Sequence, residues 1–226
     1  MKQLSNILTE SQRPAKIILA SASPRRAELF QRLGFEFTIE LSQLDEGKIE
    51  AEWRSEGAPG GYPELATRLG QAKAEAVWSK LAGQNSQNSQ NSQNSQEELY
   101  IIAADTLVSL EKEVLHKPKD LAEARRTLTQ LAGRTHEVNT AVAIRYAAGC
   151  HSFCSSTEVK FFELDQEMEA EIENYIHSKS PYDKAGAYGI QEAGAFLVES
   201  ISGDYLTVVG LPLARLRREL SKLGLK

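Results

Sequence analysis

The sequence of 226 residues predicts an α/β protein with a mixed, curved β-sheet and flanking helices. Three observations carry that prediction. Short apolar runs rich in β-branched residues alternate, in the first half, with stretches whose apolar residues recur at helical spacing. The second half carries two long hairpin patterns. Neither the Rossmann nor the Walker glycine pattern is present, so the common doubly wound nucleotide folds are not indicated.

The elements follow in order. Residues 1–15 read as a loose leader before a single domain over 16–226. Lys16–Ala20 (KIILA) is a buried strand. Residues 24–33 form a helix with Leu29, Phe30 and Leu33 on one face, and Gly34 stops it. Phe35–Leu41 is a strand. Trp53–Pro63, rich in glycine and proline, reads as a surface loop. A helix then runs to about Leu81 on a stripe of Leu65, Leu69, Ala72 and Ala76. Residues 84–96 repeat Gln-Asn-Ser with nothing apolar to bury, which predicts a disordered insertion dispensable for chemistry.

Leu99–Ala104 (LYIIAA) is the most apolar strand and is placed centrally. Leu107–Leu115 reads as a hairpin turning at Glu111–Lys112. Asp120 caps a helix ending at Gly133, with Glu123 set for a capping box. His136–Tyr146 and Phe153–Phe162 pair around Gly149, and Val138, Thr140, Val142 and Ile144 alternate as in a half-buried strand. Asp165 starts a helix with Met168, Ile172, Tyr175 and Ile176 inward. A long polar loop, a strand over Ala195–Ile201 and a helix from Pro212 on Leu213, Leu216, Leu220 and Leu223 complete the chain.

The net charge of -5 argues against a nucleic-acid-binding face and leaves room for a locally basic pocket around a small anion. No signal peptide or membrane-length apolar run is evident, so a cytoplasmic protein is expected, with no membrane partner. Cys150 and Cys154, near His151, read as two reduced thiols at a hairpin, since a structural metal site wants four ligands.

Four segments carry chemistry. In Ala20–Arg26 (ASASPRR), Ser23 is a natural N-cap and Pro24 fits the first helical position. Arg25 and Arg26 then oppose the helix dipole, which a bound anion would reverse. Ser21, Ser23 and two guanidinium groups would converge on a phosphate; the alternative is a solvated arginine pair. In AADT, Asp105 follows a buried strand and is expected at the sheet's edge, where it could hold a hard cation or orient water. Asp45 and Glu46 alone read as an acidic loop, but Glu46 with Asp105 would make an oxygen-rich metal site. Lys73 on the second helix and Lys117 before Pro118 read alone as surface lysines. Asp183–Gln191 (DKAGAYGIQ) allows close backbone approach to a flat ligand, with the Gln191 amide suited to a base edge.

In sequence, LASASPRR, LDE, GQAKA, AADT, HKP, DKAGAYGIQ and GDYLTVVGLP resemble the Maf-like nucleoside triphosphate pyrophosphatases from about Ile17 to the last helix. The resemblance implies two lobes around a central cleft and hydrolysis of a nucleotide to monophosphate and pyrophosphate with a divalent cation, Mg2+ or Mn2+. It implies that Asp105 is the proton acceptor. Ser21, Arg26, Glu46, Lys73 and Lys117 fall on phosphate- and metal-side positions, with Glu46 and Asp105 as the metal pair. Arg25, which also serves the phosphates, falls with Thr106 and Gln191 on positions that separate substrate branches. They match the branch preferring dTTP and UTP, with modified pyrimidine nucleotides as further substrates, rather than the 7-methyl-GTP branch. The alternative is a nucleotide-binding regulator of cell division or septum formation without significant catalysis. Family analogy also raises a homodimer. The sequence departs from the family pattern at Ala103–Ala104, His116 and Glu192.

Overall fold

The computed structural model describes residues 15–87, 98–178 and 180–225. The leader, except Ala15, and most of the Gln-Asn-Ser tract lie outside the described residues. The elements are β1 (Ala15–Ala20), α1 (Pro24–Gln31), β2 (Thr38–Ile39), α2 (Glu46–Ser55), α3 (Gly61–Gln87), β3 (Glu98–Leu110), β4 (Glu113–Val114), α4 (Leu121–Leu131), β5 (Thr135–Tyr146), β6 (Gly149–Phe161), α5 (Gln166–Ile176), β7 (Val198–Ser202), α6 (Tyr205–Val209) and α7 (Leu213–Lys222). Short 3-10 turns fill Ser180–Asp183, Ala185–Ala187 and Ala193–Leu197.

The strands make one mixed sheet in the order β2-β1-β3-β5-β6-β7, with β4 paired to the far end of β3. The β2–β1–β3 pairings are parallel, and β3–β5–β6–β7 are antiparallel. The predicted α/β fold with a mixed sheet is therefore observed, and β3 lies inside the sheet as expected of its apolar run.

Both faces are covered. Alternation along β1 sends Ile17 and Leu19 to one face, where they pack with Leu29, Phe30, Ile102, Leu128 and Ile144. It sends Ile18 and Ala20 to the other face, against Ala74 and Val77 of α3. Residues Val138–Ile144 are consequently buried without interruption, so β5 is not the half-buried strand its alternation predicts.

Other differences have local causes. The predicted surface loop over Trp53–Pro63 is wrong at both ends. Trp53 belongs to α2 and is buried against Leu65, Leu69 and Leu107, its indole N–H donating to the Pro59 carbonyl at 2.9 Å. Gly61–Pro63 already belong to α3. Asp45, read as loop, caps α2 by accepting from the Lys48 N–H at 3.1 Å. The inward stripe of α3 begins at Leu65 and Leu69 as expected, then passes Ala74 and Val77 rather than Ala72 and Ala76. Gln84–Gln87, predicted as disordered, continue α3. Of the predicted strand Phe35–Leu41 only Thr38–Ile39 pairs, and the strand expected from Ala195 begins at Val198, after a 3-10 turn. Helix α6 was not foreseen; Asp204 caps it through its side chain, and Gly210 ends it.

Candidate functional site

A cleft of about 390 Å³ opens beside the middle of β3, within the size range of small-ligand sites. A second arm of about 370 Å³ runs toward the start of α1. Ser23, Arg25, Arg26, Glu46, Lys73, Lys117 and Asp183 face both arms. Asp105, Thr106 and Gln191 line the first arm, and Ser21 the second. The nine residues to which the resemblance gives roles thus all line one arm or the other.

Topology makes the opening. β1 ends opposite Ala103, whereas β4 meets β3 only from Ser109. Between them one edge of β3 has no strand beside it among the described residues, while β5 runs along the other edge from Ile101 to Ser109. Asp105 therefore does not follow a buried strand, as expected, but sits mid-strand opposite Ala141. It reaches the cleft because its neighbour on that side stops, not because β3 does.

Alternation then separates Asp105 from Thr106. Asp105 shares the face of Ile101 and Ala103 and meets α3. Small residues permit the close approach: Gly70 lies over Ala141 and Ala143, and a Cβ on Gly70 would touch both at 3.9 Å. Lys73, one turn on, occupies the inward stripe with 13% of its side chain exposed. Its ammonium donates to Asp105 Oδ1 and lies 3.0 Å from Glu46 Oε1. Glu46 is brought there by the Asp45 cap, which starts α2.

Thr106 points to the other face and meets Arg26. The Arg26 guanidinium donates from Nη2 to Thr106 Oγ1 (2.8 Å), from Nη1 to the Ala104 carbonyl (2.9 Å) and from Nε to the Gly210 carbonyl (2.9 Å). It closes the bare edge of β3 and ties it to the end of α6. Burial pulls its guanidinium below its ordinary value, against the raising influence of Asp105.

At the start of α1, Ser23 Oγ accepts from the Arg26 N–H at 3.4 Å, and the Ser23 carbonyl accepts from the Ala27 N–H at 3.2 Å. Pro24 has no N–H. In the first turn of α1 this leaves the Arg25 N–H for an anion, fewer donors than the sequence suggests. Ser21, buried, accepts from the Ser23 N–H at 3.2 Å and so shapes the entry to the helix.

Arg25 Nη1 donates to Asp183 Oδ2 at 2.9 Å. Asp183 Oδ1 accepts from Lys184 Nζ at 2.7 Å, and Lys184 in turn lies 3.3 Å from Glu192 Oε2. Burial works against charge on Asp183, but the hydrogen bonds from Lys184 and Arg25 hold its carboxyl below the usual carboxylate range. The sequence singles out this segment for close backbone approach and for Gln191, and Glu192 only as a departure from the family pattern; it assigns no role to Asp183 or Lys184. The adjacent Asp-Lys was the available signal, but nothing in the sequence says that Glu192 returns to it.

Below the segment, His136 Nε2 and the Tyr188 hydroxyl lie 2.8 Å apart in the core, against Phe161. Burial pushes the His136 pKa down to about 4 and the Tyr188 hydroxyl well above its ordinary value. His136 Nδ1 has no hydrogen-bond partner among the described residues.

Among the described residues no three His, Cys, Asp or Glu side chains assemble into a ready cation cage. Glu46 and Asp105 nonetheless bring two carboxylates to one ammonium. Two hard oxygen donors, completed by substrate phosphates and water, suit Mg2+ or Mn2+. The cysteines are free, Cys150 on the surface and Cys154 half-buried. No described helix is long and apolar enough to cross a membrane.

The chain is similar to known proteins along nearly its whole length. The family model described as "Maf-like protein" matches residues 16–223. A protein of Bacillus cereus named "dTTP/UTP pyrophosphatase" is 40% identical over 222 residues, covering 98% of this chain and 97% of its own. Proteins of the same name from Bacillus cytotoxicus (41% over 207 residues; 92% and 95%) and Agathobacter rectalis (41% over 215 residues; 93% and 98%) are similar along nearly their whole lengths.

Proposed function

This chain belongs to the Maf-like family, and from that premise we propose that it is a hydrolase that splits nucleoside triphosphates, with dTTP and UTP as substrates, into the monophosphate and pyrophosphate. The observation that carries the reading is Asp105, held by Lys73 at the bare edge of β3 in a cleft that also presents Arg25 and Lys117. A carboxylate among several cations suits a reaction in which water attacks a polyanion.

Arg25, Lys73 and Lys117 bind the triphosphate and offset its charge. Ser21 and the Arg25 N–H add donors at the start of α1. Arg26 lends positive charge from beneath while its hydrogen bonds hold Ala104, Thr106 and Gly210. One Asp105 oxygen takes the Lys73 bond; the other orients the attacking water and accepts its proton. The water oxygen bonds to the α-phosphorus, the bond from that phosphorus to the bridging oxygen breaks, and the electron pair leaves with pyrophosphate. Glu46 and Asp105 would hold Mg2+ or Mn2+, which when bound supplies further charge neutralisation at the phosphate oxygens. Gln191 hydrogen-bonds the pyrimidine edge in the first arm, and Thr106 bears on the site through its hold on Arg26 rather than by touching the base.

The test is pyrophosphate release from dTTP, UTP, modified pyrimidine triphosphates, GTP and 7-methyl-GTP, with Mg2+ and with chelator. Metal-dependent release favouring dTTP and UTP is expected. Preference for 7-methyl-GTP would overturn the substrate assignment and leave the chemistry. Saturable binding without release from any of them would overturn the chemistry and favour a nucleotide-binding regulator.

A further inference from the structure

Lys184 lies off the reacting centre, yet it is among the most enclosed cations of the cleft. It is 7% exposed, with its ammonium between Asp183 Oδ1 (2.7 Å) and Glu192 Oε2 (3.3 Å). Its aliphatic stem covers Gly189: a Cβ there would come within 2.5 Å of Lys184 Cε and 2.8 Å of Cδ. Gly189 begins a tight turn in which the Glu192 N–H donates to the Gly189 carbonyl at 3.1 Å and the Ala195 N–H to the Glu192 carbonyl at 2.9 Å. Gln191 occupies that turn one residue before Glu192, so whatever fixes Glu192 fixes Gln191 to within one peptide unit.

On its other side Lys184 holds Asp183, whose second oxygen takes the Arg25 guanidinium. Arg25, Asp183, Lys184 and Glu192 thus alternate in sign from the start of α1 to the turn that carries Gln191. Lys184 and Glu192 border the first arm of the cleft and not the second.

We propose that Lys184 is a positioning residue that joins the two ends of the substrate cleft, seating Asp183 against Arg25 and Glu192 beside Gln191, and that this pairing governs discrimination between bases rather than the rate of phosphorus–oxygen cleavage. The proposal rests on the pyrophosphatase reading for the identity of the ligand. Its physical basis is independent of that reading. Removing the enclosed ammonium takes away the cation that Asp183 and Glu192 share, so the two carboxylates repel one another and separate, while Asp183 keeps Arg25. The 189–195 turn then loses one of its ties, while Asp105 and Lys73 keep the bond between them.

The experiment compares Lys184→Met, which retains the stem over Gly189, with Lys184→Arg, Glu192→Ala and the Lys184→Met/Glu192→Ala double variant. Lys184→Met and Glu192→Ala are each expected to raise KM for UTP by roughly tenfold and to narrow the preference for UTP over GTP by a similar factor, with kcat changed less than about threefold. The double variant should be no worse than Lys184→Met alone, which already removes the Lys184–Glu192 interaction. Lys184→Arg should recover most of the preference. Loss of kcat at unchanged KM, an unchanged UTP/GTP preference, or additive effects would overturn the proposal. Amide exchange supplies a readout that needs no turnover: the Glu192 and Ala195 amides should exchange about tenfold faster in Lys184→Met. Unchanged exchange would overturn the proposal even if the wild-type protein hydrolysed none of the triphosphates, a result that would by itself refute only the pyrophosphatase reading.

Discussion

Arg26 Nη2 donates to Thr106 Oγ1 at 2.8 Å, and that hydroxyl stands 3.0 Å from Thr140 Oγ1, which itself donates to the Thr207 carbonyl at 2.7 Å. The Thr140 proton is therefore spent on Thr207, and the Thr106 proton must point to Thr140. Thr106 has no proton left for a base and can only accept. Thr106→Val would orphan an Arg26 donor at the bare edge of β3. A stability loss of about 1–3 kcal/mol is expected in urea titrations, with Thr106→Ser close to wild type. A Thr106→Val protein of full stability but altered substrate preference would instead assign Thr106 to direct base contact.

Asp105→Asn tests the proton acceptor. The amide still fits the mid-strand position, so cooperative unfolding should persist. Turnover should fall by at least about 100-fold in kcat, because an amide neither accepts the water proton nor complements Lys73. Near-normal pyrophosphate release would remove Asp105 from the chemistry.

His136 gives stability a pH dependence. Its pKa is about 4 in the folded protein, below the ordinary histidine value, so between those two values the unfolded chain binds the extra proton. Stability should therefore fall as pH drops through that window, by roughly 3 kcal/mol from this residue, and level off below it. Urea midpoints at pH 7 and pH 4 span that window. In His136→Gln the difference between the two midpoints should shrink; an unchanged difference would place the dependence elsewhere.

Gly186 joins the Gln191 segment to the sheet by donating to the Leu115 carbonyl at 2.8 Å. Its φ is +71°, and a Cβ would meet Val108 Cγ1 at 2.8 Å. Gly34 has a similar φ of +79° with nothing within 4 Å of a Cβ. Gly34→Ala should thus lose about 1 kcal/mol from backbone strain alone. Gly186→Ala carries the clash as well and should lower the melting temperature clearly further. Equal shifts would mean that Val108 yields without penalty.

The parts legible in the sequence are those written locally. Periodicity placed β1, α1, the β5–β6 hairpin and α5, and the side-chain caps at Ser23, Asp120 and Asp165 stand where their residue types predict. The neighbourhood of Asp105 was legible as a motif, but its position was not. Whether a strand continues past a carboxylate depends on which neighbours stop, and that is a property of the sheet. Trp53 was misread because a Gly/Pro-rich stretch follows it, although α2 owes its burial to α3. The Lys184–Glu192 pairing was illegible because a glycine turn reverses the chain between its partners.

The parallel seam between β1 and β3 has a consequence for the order of assembly. β5 and β6 are joined by a tight turn and can pair early, whereas Ala15 must find Glu98 across α1, α2, α3 and the Gln-Asn-Ser tract. Closing so long a loop is entropically expensive, and such contacts form slowly. Ser21, Arg25 and Arg26 arrive with β1, while Asp105 and Thr106 are already placed by β5. The topology therefore predicts that Asp105 is placed before Ser21, Arg25 and Arg26, and that the folding chain completes its polyanion site only with the last seam.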